Sequence, residues 1–273
     1  MRRVIVVTLV VGAAWAAAAG ADGGGPSPGP NWGAPGKVDA KRGVRYVALI
    51  GMENDTVLEA IRLRDGNIVR WRALRGAFGI PGVAWDGSIG GLSRDGKRLV
   101  LASPAYGVTT FVSLDPRTLN VVARVHLRGA YAFDALSPDG SVMYLLQYSG
   151  AVPNGSSQPY AVRAFDWTTR KLVPGAIVDR REPDEKMNGM PMARTGNAAG
   201  WVYTLYQRPG KEPFVHALDT VHRRAFCVDL AWPHSDKWIG LVRLRVQGRT
   251  LTMRRGTDVV ARMDTGSLKV SSP

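Results

Sequence analysis

The sequence predicts an all-β protein built from about five copies of one four-stranded antiparallel sheet. Three observations predict it. Apolar second strands recur at residues 44–50, 97–102, 142–147, 201–206 and 249–253. Third strands end on an apolar residue followed by Asp115, Asp166, Asp219 or Asp264, with Asp65 one residue late in the first copy, so these markers return about every 50 residues. Asp-Gly turns, Arg94-Asp95-Gly96-Lys97 and Pro138-Asp139-Gly140-Ser141, join first to second strands, and glycine there supplies the positive φ of a tight turn. A repeat of this length that reads as four strands is the signature of a β-propeller, a ring in which sheets stack face to face because none can cover its own faces alone. The continuous apolar run Met143-Tyr144-Leu145-Leu146 fits a sheet covered on both sides.

Taken in order, the chain opens with Met1-Arg2-Arg3, an apolar run over residues 4–18, and small residues around Ala19 and Ala21. A basic start, a short apolar middle and a small-x-small site read as a secretory signal peptide over 1–21, with no transmembrane span left after cleavage. Residues 22–43 are rich in Gly and Pro and read as a flexible linker. The propeller domain is expected over 44–273. Its first unit shows no innermost strand; its third is the clearest, with strands at 131–136, 142–148, 160–165 and from 171. Residues 267–270 either complete the last sheet or pair near the N-terminus.

Formal net charge is +14 over 273 residues, and most of it remains once Arg2 and Arg3 leave with the signal. Such a surface attracts polyanions, an anionic cell-wall polymer among them, although scattering of basic residues over solvated turns accounts for the charge equally well. Lys and Arg form no long block, which argues against nucleic acid. Cys227 is the one cysteine, so no internal disulfide forms; within a strand-like segment it reads as an inert thiol.

The segments Leu92-Ser93-Arg94-Asp95-Gly96-Lys97-Arg98-Leu99-Val100-Leu101 and Leu136-Ser137-Pro138-Asp139-Gly140-Ser141-Val142-Met143-Tyr144-Leu145 resemble the SPDGxxLYV signature of the secreted YVTN/lactonase-like propeller group. The resemblance implies an exported propeller, usually of seven sheets against about five here. It leaves a lactonase-like or lyase-like enzyme open as an alternative function.

In such a ring, the connections between sheets and those between second and third strands emerge on one face. On it the sequence places the candidate ligand-binding residues Arg75, Trp85, Tyr106, Tyr131, Arg208, Trp232, His234 and Trp238. Flat aromatic rings beside cations suit a protein partner or an anionic polymer, while any single ring suits packing between sheets as well. The first strands, which line the axis, offer Asp134 as their one acid and no histidine, which favours binding over catalysis. Met187, Met190 and Met192 could hold Cu+, since soft sulfur suits that ion, but their spacing also suits core packing. The mixed-charge loop 179–186 is a possible Ca2+ site only if several oxygens converge. No cofactor is expected otherwise, and the preferred reading is an extracytoplasmic, non-catalytic binding module of the cell envelope or extracellular space.

Overall fold

The computed structural model describes residues 28–149, 159–185, 187–208 and 210–272. The signal peptide assigned to 1–21 and the first part of the linker lie outside the described residues.

A short strand β1 (Gly29–Asn31) precedes sheet I, which is formed by β2 (Lys37–Asp39), β3 (Val44–Ile50), β4 (Thr56–Arg62) and β5 (Ile68–Leu74). β6 (Ile80–Gly82) pairs back with β1. Sheet II holds β7 (Leu99–Ala105), β8 (Val108–Leu114) and β9 (Val121–Arg128). Sheet III holds β10 (Ala130–Leu136), β11 (Val142–Tyr148), β12 (Tyr160–Asp166) and β13 (Lys171–Leu172). Sheet IV holds β14 (Met190–Gly196), β15 (Trp201–Gln207), β16 (Phe214–Asp219) and β17 (Arg224–Asp229). Sheet V holds β18 (Val242–Gln247), β19 (Thr250–Arg255), β20 (Asp258–Asp264) and β21 (Val270–Ser271). Each of sheets I to V is an antiparallel meander in chain order.

Two expectations are corrected at the N-terminus. Part of the segment read as a flexible linker is structured, because β1 and β2 fall inside it. The innermost strand of the first unit is present as β2, whose Asp39 accepts from the Arg42 guanidinium at 2.6 Å. Lys37-Val38-Asp39 is too short and too polar to stand out from its Gly- and Pro-rich surroundings. In sheet II the expected first strand at 88–92 is reduced to isolated bridges, Gly82 to Ile89 and Leu92 to Leu99. In sheet V the region from Trp238 begins as a 3-10 turn (Ile239–Leu241) before β18 starts. The last strand completes sheet V, where Met263 pairs with Val270.

Four buried apolar clusters hold the stack together. Tyr46, Leu58, Leu99 and Leu114 join I to II; Phe111, Phe133, Leu145 and Phe165 join II to III. Tyr144, Val162, Tyr206 and Phe214 join III to IV; Tyr203, Val215, Leu251 and Met263 join IV to V. Among the described residues no such cluster joins V back to I, so the sheets form an arc whose end faces lack this packing.

The turns explain the repeat. Ser137 donates to Asp139 at 2.6 Å and accepts from the Val142 amide at 2.9 Å; Ser93 does the same with Asp95 and Arg98. The two turns also touch, the Asp95 amide donating to the Pro138 carbonyl. In sheet IV Asn197 takes this part, accepting from the Ala199 and Trp201 amides. The aspartates that end the third strands accept from backbone two or three residues on, as Asp115 does from Arg117, Asp166 from Thr168, Asp219 from Val221 and Asp264 from Ser267. They are turn-forming groups.

Candidate functional site

Strand direction sends the β3–β4, β7–β8 and β15–β16 connections, and the links between sheets, to one face. Two hairpin tips on that face present large apolar side chains to solvent: Met52 and Tyr106 are 104% and 99% exposed. Gly51 beside Met52, and Ala105 and Gly107 beside Tyr106, leave these side chains little to pack against.

On the same face the link from sheet IV to sheet V brings Trp232 and Trp238 together, their ring centres 5.1 Å apart. Both rings are half-buried against the apolar cluster between those sheets, which fixes them. Between them His234 adopts a left-handed backbone (φ 54°) and is exposed. Arg208, Lys211, Trp232, His234 and Asp236 line a recess of about 460 Å³. Three of the expected residues, Arg208, Trp232 and His234, therefore share one recess, with Trp238 behind it.

Arg208 is not free to hold a ligand. Its guanidinium donates to Glu185 at 3.2 Å, Asp229 at 2.5 Å and the Glu212 carbonyl at 2.8 Å, and lies over the Phe214 ring. It braces the recess rather than offering charge. Other expected residues lie elsewhere. Tyr131 is 5% exposed and packs between sheets II and III, so its ring belongs to the core. Trp85 is half-buried near the axis, its amide donating to the Pro191 carbonyl. Arg75 is exposed on the outer side, near Arg124, which donates to its carbonyl. The thioethers do not converge: Met187 packs between III and IV, Met192 between IV and V. In loop 179–186 Asp179 is buried and taken by Arg181 and the Cys227 amide. Among the described residues no three His, Cys, Asp or Glu side chains gather as a metal-binding group. Burial pushes the Cys227 thiol up to about 12, so it is a poor nucleophile.

A second concavity, of about 390 Å³, lies on the axis and opens toward the opposite face. Its lining is cationic. Arg194 of β14 donates to the Asp134 carboxylate at 2.6 Å and to the Asp134 carbonyl at 2.8 Å, both side chains being almost wholly buried. The Arg194 amide donates to Asp86, and its carbonyl accepts from Ser88. These bonds carry the segment between β6 and β7 across the axis onto sheet IV. Lys37 also reaches the axis and donates to the Ile89 carbonyl at 2.5 Å; burial first, and Arg194 second, hold its ammonium below the ordinary lysine range. Sequence reasoning searched the inner strands for acids and histidines and so passed over Arg194, whose inner-strand position was the available signal; Lys37 lay in the segment read as linker and gave none.

Between sheets III and IV, His216 of β16 is 1% exposed and packs edge-on to Tyr206. Desolvation pushes it down to about 4, so it is neutral at pH 7.

No protein-family model matches the chain, and no curated protein sequence matches it. Among solved structures it is similar to the Cps50 (Swd1) β-propeller domain of Myceliophteria thermophila, at 15% identity and a TM-score of 0.47, over 85% of this chain and 62% of that one. It is similar to the Dos1 propeller at 13% identity and 0.47, over 84% and 56%, and to TolB from Acinetobacter baumannii at 15% and 0.41, over 82% and 50%. The chain spans less than two thirds of the length of each. No helix among the described residues is long and apolar enough to cross a membrane.

Proposed function

We propose that this chain is an exported, non-catalytic interaction module of the YVTN/lactonase-like kind, and that it recognises a protein partner through the loop face. One observation carries the reading: Met52 and Tyr106 stand fully exposed on the face that also holds the Trp232 recess. Exposed large apolar groups beside fixed aromatic rings suit the buried centre of a protein interface. An anionic polymer is the weaker ligand, because the arginine that would hold it, Arg208, is already neutralised by Glu185 and Asp229. At the axis, Asp134 is paired with Arg194, which supports binding over proton transfer.

The test is a thermal-shift screen of the mature chain against wall polymers, acidic glycans, Ca2+ and Cu+, with EDTA as control, followed by capture of partners on immobilised protein. Ligands that bind only the folded state raise the midpoint by mass action. The expected outcome is no shift with polymer or ion, and a protein partner retained by the wild type and lost by the Trp232→Ala, Trp238→Ala variant. A shift with a polyanion that vanishes in salt, or with a metal ion alone, would overturn it.

A further inference from the structure

Sheet I ends the arc, and its two faces differ. One contributes Tyr46, Ala48, Leu58 and Ala60 to the cluster shared with sheet II. Strand alternation sends their neighbours to the other face. There Val38, Leu49 and Trp71 are 48%, 37% and 65% exposed, with Val57 and Ile61 half-buried beside them. Amid these apolar groups lie two charges of opposite sign, both half-buried. Glu59 pairs across the ladder with Val47 and Trp71, and Arg45 with Val38 and Ile61, so the charges are diagonal neighbours on one face. The Arg45 Nε is buried with no hydrogen-bond partner, and among the described residues neither charge has an ion-pair partner.

The other end of the arc does not complement this face. Sheet V turns Arg243, Arg245, Arg254 and Arg262 outward, all four exposed and adjacent in the β18–β19–β20 ladders. Closing the ring, or stacking copies head to tail, would strip water from four arginines against Val38, Leu49 and Trp71, with Glu59 the one acid to meet them. Two copies meeting sheet I to sheet I incur no such cost. They bury apolar surface on apolar surface, and a two-fold axis makes the contact self-complementary, offering the Glu59 of each copy an Arg45 of the other.

We propose that the outward face of sheet I is the interface of a homodimer, with Val38, Leu49 and Trp71 in its apolar contact and two symmetric Glu59–Arg45 pairs fixing register. This contact is separate from the loop face. Sedimentation velocity of the mature chain across the micromolar range tests it. The wild type is expected at twice the monomer mass. Glu59→Arg and Arg45→Glu, each placing like charges opposite one another, are expected to halve that mass while circular dichroism stays native. The double variant carrying both substitutions is expected to return to the dimer, which a misfolded single variant would not explain. A monomeric wild type, through ring closure or reliance on a different protein, overturns the proposal. So do single variants that remain dimeric, or a double variant that does not recover.

Discussion

At the scale of single residues, the axis and the interface between sheets III and IV concentrate the buried charge and titration. Arg194 and Asp134 are a pair that neither partner can leave safely. Arg194→Met strands the Asp134 carboxylate in the interior and is expected to lower stability by about 3 to 5 kcal/mol. Urea denaturation checks this, and Arg194→Met with Asp134→Leu should recover much of the loss, since the stranded carboxylate is then removed. His216 gives the pH dependence a sign. Its folded pKa, about 4, lies below the unfolded value, so its contribution is intact above that unfolded value and is lost as pH falls toward 4. The total is about 3 kcal/mol if the ordinary value near 6.5 applies to the unfolded chain. Thermal melts between pH 7 and 4.5 should fall more steeply for the wild type than for His216→Phe.

At the scale of elements, the Ser-x-Asp-Gly turns made the fold legible. Their serine, aspartate and glycine each have a defined backbone partner or φ, so the same letters recur wherever the same turn recurs. Gly140 and Gly66 separate the two demands on such a glycine. Both have φ near +71°, but a Cβ at Gly140 would stand 2.9 Å from the Ser93 and Arg98 Cβ atoms, whereas at Gly66 it meets nothing. Gly66→Ala is expected to cost about 1 to 2 kcal/mol, the left-handed penalty alone, and Gly140→Ala more, measured by the same denaturation series. Elements without an apolar pattern of their own, or held from across the axis, were not legible. β2 has three residues and no apolar pattern, and it forms because β3 offers it an edge. The 88–92 segment had the length of a strand, yet its neighbours hold it across the axis through Asp86 and Ser88 instead.

At the scale of the whole molecule, part of the candidate site was readable and part was not. Trp232, His234 and Trp238 are close in sequence and in one connection, so their convergence followed from the loop itself. Tyr131 looked alike in sequence but begins a strand whose alternation turns it inward. Arg208 looked like a free cation until Glu185 and Asp229, distant in the chain, closed on it. The face proposed to bind a partner is thus narrower than composition implies: apolar tips and one aromatic recess, with its nearest arginine neutralised.

Site-specific photo-cross-linking in cells that produce the protein tests this claim most directly. A benzophenone amino acid placed at Tyr106 or at His234 on the loop face should yield a cross-linked protein of defined mass, and the product should disappear when Trp232 and Trp238 are both changed to Ala. The same probe at Arg117, in a turn on the opposite face, should yield none. Cross-links from Arg117 alone, or none from either loop-face position while the protein is folded, would contradict the account.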